Sequence, residues 1–401
     1  MSARRDFLRV VAGQAVSGIG DGVNRIAVLW WARQTTGSDA IVVLVALATV
    51  LPTLAAAPLA GWLVDRLPRR ALMLASDLVR FGTSGFLAWA LWADVASTTM
   101  VVVVAVVAAA SAAVFDPALL ASVTLLVPEE ELVSANSLLG GTGAVAGIIG
   151  PALGGVLVGI TSSGTALFID ALTFLVSFGL VALSRIPNPV RTVDAGADEG
   201  MGAGLRLLRT DRSVRDLVIV AAGLNLCVAP LTVLIVGLAA GPLSLGGSGF
   251  GLLEASIPFG IVAGFLVAPK VAKGRQAALV ALLATGAAIA VSGAWAVAIW
   301  AGVTFVVAGV GVGVTNTVLP ARFQAGVDPA VQGRVFALVG ALGQAGRPVG
   351  LLAAAPMIAL VGVRGSFAVC GLALALVAWA GRRGLAGQPA EPALAQACAV
   401  A

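Results

Sequence analysis

Long apolar stretches, separated by short charged segments, run along almost the whole chain. Twelve of them approach or exceed the roughly 20 apolar residues that a membrane-spanning helix needs. The predicted spans cover residues 8–32, 40–64, 71–93, 99–126, 132–160, 164–184, 215–240, 248–269, 277–295, 299–320, 331–361 and 363–381. Both the lipid-facing and the bundle-facing sides of such helices are apolar, so length and charged gaps place the spans better than periodicity does. The pattern predicts an all-α membrane protein with twelve transmembrane helices.

Composition supports a membrane protein. Of the 401 residues, 59% are apolar and 11% are charged, and the mean hydropathy is +1.04. A soluble domain carries about 25% charged residues. This chain therefore cannot cover itself with a polar surface, and we expect the lipid bilayer to surround it. The net charge of +5 lies in short loops between spans, which is not the pattern of a nucleic-acid-binding surface.

The distribution of basic residues predicts the orientation of the chain. Lysines and arginines concentrate in cytoplasmic loops of membrane proteins. With both termini in the cytoplasm, 20 of the 24 basic residues lie inside and two lie outside, while Arg25 and Arg347 lie within spans. All eight tryptophans fall at predicted span ends, where aromatic belts form. We expect a multi-pass protein of the cell membrane, and the alanine-, glycine- and arginine-rich composition is typical of GC-rich bacterial coding.

A polar segment divides the chain into two halves of six spans each. We predict an N-terminal six-helix half at 1–184, a cytoplasmic loop at 185–214, a C-terminal six-helix half at 215–382 and a disordered tail at 383–401. The halves show faint internal similarity, since Gly150-Pro151 in span five is echoed by Arg347-Pro348 in span eleven. Parallel six-span repeats of this kind occur in one large class of transporters.

The loop between spans two and three carries the most informative motif. It reads Gly61-Trp-Leu-Val-Asp65-Arg66-Leu-Pro-Arg69-Arg70 and resembles the G-x-x-x-D-R-x-x-R-R signature of major facilitator superfamily transporters. The resemblance implies that Asp65 contacts the start of a helix in the opposite half, near Gly333-Arg334, and helps to close the cytoplasmic side. A plainer alternative is that the arginines only mark topology, although acidic residues such as Asp65 contribute little to topology.

Three further segments narrow the resemblance to one branch of that family. They are Gly18-Ile-Gly-Asp21, Phe115-Asp116-Pro117-Ala118 and Gln332-Gly333-Arg334-Val335. Together with the loop motif, they are similar to the branch that holds macrolide efflux proteins and the enterobactin exporter. The resemblance implies a monomer whose two halves rock around a central cavity. It also implies export of a hydrophobic or amphipathic small molecule in exchange for protons.

Span five contains a glycine-rich motif, with Gly150, Pro151, Gly154 and Gly155. It resembles the antiporter motif of drug exporters and implies a gate helix that bends. Glycines allow close helix approach, so a packing motif without directional meaning is the alternative. Two departures stand out: Ala146 replaces an expected glycine, and span four lacks the arginine that drug–proton antiporters often carry. The second departure leaves the route of proton coupling open.

Polar side chains in span one follow helical spacing. They form a stripe of Gln14, Ser17, Gly18, Asp21, Asn24 and Arg25. A charge at mid-bilayer costs at least about 2.5–3.5 kcal/mol on insertion scales, so each needs a partner or a function. Either Asp21 binds the coupling proton within a cavity, or Asp21 and Arg25, one turn apart, form a permanent ion pair.

Other embedded ionisable residues extend the set of candidates. Glu254, which has no charged neighbour in sequence, is a second proton-binding candidate or else a solvated residue of the outer vestibule. Asp116 is a candidate for lining the cavity or for an ion pair. Arg347, with Gln344 one turn before it, is a cavity candidate that could neutralise an inward acid or bind an anionic substrate. We expect Asp170 near the outer end of span six, either in a functional role or among the lipid headgroups. We expect Asp77 and Arg80 in a cytoplasmic charge network with Asp65 and Arg66.

Enzymatic chemistry finds little support in the sequence. The chain has no histidine, its three cysteines lack metal-ligand spacing, and its one acidic cluster is Glu129-Glu-Glu131. We therefore predict no enzyme, catalytic residue, metal or cofactor. The alternatives to multidrug export are export of one native metabolite or siderophore, and a sensor of this fold that transports nothing.

Overall fold

A computed structural model describes residues 2–187, 212–271, 276–326 and 329–382. All of the regular structure among these residues is helical. The helices are α1 (Ser2–Thr36), α2 (Asp39–Arg66), α3 (Arg69–Trp92), α4 (Thr98–Leu126), the 3₁₀ turn Glu129–Glu131, α5 (Leu132–Ile160), α6 (Ser163–Ala182), α7 (Arg212–Val228), α8 (Leu231–Ala240), α9 (Gly247–Val271), α10 (Ala277–Ser292), α11 (Ala298–Gly326) and α12 (Pro329–Ala380). The predicted tail at 383–401 and most of the predicted loop at 185–214 lie outside the described residues.

The helices agree with the predicted all-α membrane fold. Within the described ranges, eight helical segments are long and apolar enough to cross a membrane. Helices α1 and α3 fall outside this set because polar side chains interrupt their apolar sequence, and α10 has 16 residues. The predicted spans eleven and twelve form one continuous assignment, α12, that Gly362 interrupts with φ 72°. Twelve spans are consistent with these elements.

Contacts divide the chain into two compact units. The first contains the described residues up to 187 together with Ile235–Ala255, and the second contains 212–234 and the described residues from Ser256 onward. This division follows contacts in space, whereas the predicted halves follow the internal repeat. The boundaries at 184, 215 and 382 therefore stay a prediction.

The first unit is built around α6. Helix α6 packs against both α1 and α3, while α4 packs against α2 and α3, and α5 packs against α1. Buried apolar side chains such as Phe7, Met73 and Phe115 form a core toward the ends of the helices that we predict to be cytoplasmic. This arrangement places the polar residues of α1, α3 and α6 beside one another.

The second unit relies on close helix packing through small residues. Helix α12 packs against α7 and α10, and α10 packs against α11. A Cβ added at Gly260 of α9 would lie 2.9 Å from the Cα atom of Gly309 in α11, and one at Gly264 would lie 3.0 Å from Gly313. Glycine at these positions lets the two backbones touch, as in other membrane helix pairs.

Candidate functional site

Helix α1 carries its polar stripe into the interior of the first unit. Ser17 is buried, Gln14, Asp21 and Asn24 are half-buried, and Arg25 is exposed. The predicted one-sided spacing is therefore present, and its members meet partners on three other helices.

Asp21 forms an ion pair with Arg80 of α3, through Oδ1 and Nη2. The Arg80 side chain is 10% exposed, and its guanidinium carbon lies 4.1 Å from the ring centroid of Phe174 in α6. The alternative of a permanent pair between Asp21 and Arg25 is therefore wrong. A buried guanidinium that cannot lose its charge needs a carboxylate more than the exposed Arg25 does.

Arg25 pairs instead with Glu254 of α9. Its Nη2 lies 3.4 Å from Oε1 of Glu254, whose side chain is 8% exposed. Close by, the rings of Trp30 and Phe250 stack with centroids 5.8 Å apart, so α1 and α9 are held by an ion pair and an aromatic contact. Glu254 therefore has a charged partner, which comes from a helix far away in sequence. It is not a solvated vestibule residue, because its side chain is almost completely buried.

Asp170 of α6 lies fully buried between α1 and α3. Its Oδ2 accepts hydrogen bonds of 2.7 Å from Asn24 Nδ2 and from Ser84 Oγ, and Asn24 also donates to Ser84 Oγ at 3.3 Å. Its Oδ1 is buried and has no hydrogen-bond partner among the described residues. Its complete burial contradicts a position among lipid headgroups.

Asp77 of α3 is also fully buried. Its Oδ2 accepts a 2.8 Å hydrogen bond from Ser177 Oγ of α6, and its Oδ1 is buried without a hydrogen-bond partner in the described part of the chain. The expected cytoplasmic network of Asp77 and Arg80 with Asp65 and Arg66 is therefore wrong. One helical turn separates Asp77 from Arg80, and both point toward α6 rather than along the membrane surface.

Asp116, Gln344 and Arg347 have exposed side chains on α4 and α12. Asp116 interacts electrostatically with Arg80 and Asp21, which places it at the edge of the buried cluster. Gln344 and Arg347 lie on α12, in the second unit. Their predicted role in lining a cavity stays a prediction.

The loop motif between α2 and α3 attaches α3 to its neighbours. Arg69 Nη1 donates to the carbonyl oxygen of Ala121 in α4 at 2.5 Å, and Arg70 donates to the carbonyl oxygens of Val181 and Ala182 at the end of α6. Cations at helix C-termini satisfy unpaired carbonyls and favour the negative end of the helix dipole. Arg70 fits this rule at the end of α6, and Arg69 links α3 to α4, so both arginines attach α3 to its neighbours.

The remaining members of this motif are exposed. Gly61 and Asp65 face open space, and no hydrogen bond or ion pair joins Asp65 to a side chain that the structure describes. The guanidinium of Arg66 lies 4.4 Å from the ring centroid of Trp62. The side chain of Arg334 lies outside the described residues, so the predicted gate contact stays a prediction.

The glycines of α5 touch two other helices. A Cβ at Gly150 would lie 2.7 Å from the carbonyl oxygen of Ile19 in α1, and one at Gly154 would lie 2.8 Å from Val23 Cα. On the other side, a Cβ at Gly155 would lie 2.6 Å from Gly251 Cα in α9. The motif around the buried Pro151 therefore lets backbone pack on backbone at two surfaces of one helix.

Comparison with known families decides the class of the protein. The family model described as Major Facilitator Superfamily matches residues 10–351. The chain belongs to the major facilitator superfamily. The predicted family is thereby confirmed, and the protein is a multi-pass membrane transporter rather than an enzyme.

Two curated members of the superfamily show the extent of the similarity. Macrolide efflux protein A of Streptococcus pyogenes is 25% identical over 382 residues, covering 93% of this chain and 94% of that protein. Multidrug efflux pump Tap of Mycolicibacterium fortuitum is 26% identical over 403 residues, covering 93% and 94%. A crystal structure of a bacterial homologue of the human lysosomal transporter Spinster shares the fold, with a TM-score of 0.73 at 16% identity over 95% of this chain and 97% of that one.

The buried cluster of this major facilitator protein contains two residues that the sequence did not single out, Ser84 and Ser177. It also gives Asn24, Asp77, Arg80 and Asp170 partners that the sequence did not indicate. The sequence could have indicated Asp77, Arg80 and Asp170 as functional candidates, because each is an ionisable residue within a predicted span. In the described part of the chain, no group of three or more His, Cys, Asp or Glu residues is placed to hold a metal ion.

Proposed function

We propose that this transporter exports hydrophobic or amphipathic small molecules and that protons flowing inward drive the export. Relatives that match 93% of the chain are named as macrolide and multidrug efflux proteins, which supports both the direction and the class of substrate. The proposed substrates are drugs, macrolides or siderophore-like metabolites.

The carboxylates embedded in the helices are the observation that carries proton coupling. Asp21, Asp77, Asp170 and Glu254 lie within helices of the first unit, and the described ion pairs give them two arginine partners, Arg25 and Arg80. Ionisable groups inside a membrane are costly and commonly mark proton or substrate pathways. Carboxylates without a cation at hand are suited to bind and release protons during a transport cycle.

Alternating access is the mechanism proposed for the family fold. We assign the cytoplasmic gate to Asp65 and Arg334 and the bending of the gate helix to Pro151 with its flanking glycines. We further propose a monomer in a bacterial cell membrane with both termini in the cytoplasm, as the basic loops suggest.

Drug susceptibility in a bacterial host that lacks its own efflux pumps tests this proposal. Cells that express the protein should tolerate more erythromycin and ethidium than cells with an empty vector, and a protonophore should remove the difference. Unchanged susceptibility to every compound in a broad panel would contradict multidrug export. In that case, a metabolite released to the medium by the expressing cells would indicate a dedicated exporter, and no released compound would indicate a sensor.

A further inference from the structure

Asp170, like Asp77, differs from Asp21 and Glu254 in its partners. The described ion pairs join Asp21 to Arg80 and Glu254 to Arg25, whereas both hydrogen-bond donors of Asp170, Asn24 and Ser84, are neutral. A fully buried carboxylate without a cation is costly to keep ionised. Its buried Oδ1 has no hydrogen-bond partner among the described residues, so this oxygen is the candidate protonation site.

The charges around Asp170 come from three helices. Asp21 of α1 and Arg80 of α3 both interact with Asp170, while Asp77 of α3 and Asp116 of α4 interact with Asp21 and Arg80. Helix α5, which also contacts α6, has no charged residue. The guanidinium of Arg80 thus interacts with four carboxylates. An ionised Asp170 would have to compete with the other three for this cation.

Arg80 is placed to serve either Asp21 or Asp170. It interacts electrostatically with both, and with Asp77. Asn24 lies one turn from Asp21 on α1, and Ser84 lies one turn from Arg80 on α3. Asn24 and Ser84, which donate to Asp170, therefore link it to α1 and α3. These are the two helices that the ion pair of Asp21 with Arg80 joins.

We propose that Asp170 binds the coupling proton on Oδ1 and that Arg80 is its exchangeable counter-ion, an inference that rests on the proposed proton-coupled transport. When the O–H bond at Oδ1 breaks, the proton leaves to water and the carboxylate attracts Arg80 away from Asp21. The half-exposed Asp21 carboxylate is then released. Substrate that displaces Arg80 from Asp21 drives the proton off Asp170 by the same exchange.

Infrared spectroscopy of the purified full-length protein in lipid nanodiscs tests the proton site without any substrate. A C=O absorption of a protonated carboxyl group should titrate with pH in the wild type and disappear in Asp170→Asn. It should persist in Asp77→Asn, the matched control, because Asp77 is equally buried and also bonded to a serine. Persistence of the band in Asp170→Asn, or its loss in Asp77→Asn, overturns the assignment.

Serine variants provide a second readout that does not require the aspartate to be replaced. Ser84 donates to Oδ2, the carbonyl oxygen when the proton is on Oδ1, so Ser84→Ala should move the band to higher frequency. Ser177→Ala removes the donor of Asp77 and should leave the band in place. A shift with Ser177→Ala alone would assign the proton to Asp77 and contradict the proposal.

Transport measurements distinguish a failure of this inference from a failure of the proposed function. In proteoliposomes, Asp170→Asn should lose erythromycin accumulation driven by a pH gradient and keep exchange of erythromycin down its own gradient. If the wild type accumulates erythromycin and Asp170→Asn does so equally, the inference fails. If the wild type does not respond to the pH gradient, the proposed function fails, while the infrared result still decides whether Asp170 holds a proton.

Discussion

At the scale of residues, each embedded ion pair of the first unit joins side chains from different helices. Asp21 pairs with Arg80, and Arg25 pairs with Glu254. The two arginines differ in exposure, because the side chain of Arg80 is 10% exposed and that of Arg25 is 44% exposed. Loss of the partner should therefore matter more for Arg80.

Replacing the two carboxylates by amides tests this difference. Asp21→Asn leaves a buried guanidinium that cannot deprotonate and should cost about 2–3 kcal/mol, less than a fully buried pair because Asp77 and Asp170 remain nearby. Glu254→Gln removes the partner of Arg25, whose side chain is 44% exposed, and should cost less, at most about 1 kcal/mol. Melting temperatures of the purified variants in one detergent measure the ranking, and an equal or larger loss for Glu254→Gln would contradict it.

Asp65 should affect transport without affecting stability. Its side chain is exposed, and exposed positions usually tolerate substitution within about 0.5 kcal/mol. Asp65→Asn should therefore leave the melting temperature unchanged and abolish erythromycin resistance at equal expression, because we assign the residue to the gate.

Arg70 provides the control within the same motif. Arg70→Ala removes hydrogen bonds to the end of α6 and should cost about 1–2 kcal/mol. Full transport by Asp65→Asn at wild-type expression would show that Asp65 is no part of the gate.

At the scale of elements, α5 is the helix with the closest backbone contacts in the first unit. Its glycines approach α1 at Gly150 and Gly154, and approach α9 at Gly155. The sequence predicted small residues at a helix contact, but it did not indicate that two different helices use them.

An added methyl group should separate α5 from α9. Gly155→Ala would place a Cβ 2.6 Å from the Cα atom of Gly251, and such overpacking costs about 1–3 kcal/mol. Gly143→Ala, in the same helix with no atom within 4 Å of the added Cβ, should be neutral or stabilising by up to about 1 kcal/mol, since alanine favours helix. Similar melting temperatures for both variants would contradict the packing.

At the scale of the whole molecule, span lengths predicted the fold class, and the resemblance of the loop motif and three further segments predicted the family. Length and hydrophobicity are properties of each segment alone, so the sequence carries them directly. The ion pairs could not be predicted in the same way, because Asp21 and Arg80 are 59 residues apart in sequence, Arg25 and Glu254 are farther apart still, and only helix packing brings them together. The alternative pair of Asp21 with Arg25 relied on neighbours one turn apart, whereas a long arginine side chain can reach another helix.

The same reason explains why Asp170 looked peripheral. Its position near the start of span six suggested headgroups, yet Asn24 and Ser84 bury it within the unit. Embedded charges marked the candidate residues, and only the packing of helices showed which of them act together.

Accumulation of radiolabelled erythromycin in proteoliposomes is the most direct test of proton-coupled export. The purified protein is reconstituted, and the vesicle interior is made acidic relative to the medium. We expect erythromycin to accumulate inside above its external concentration and to leave when nigericin collapses the pH gradient. Uptake that is the same with and without the gradient, or no uptake beyond that of protein-free vesicles, would contradict proton-driven export.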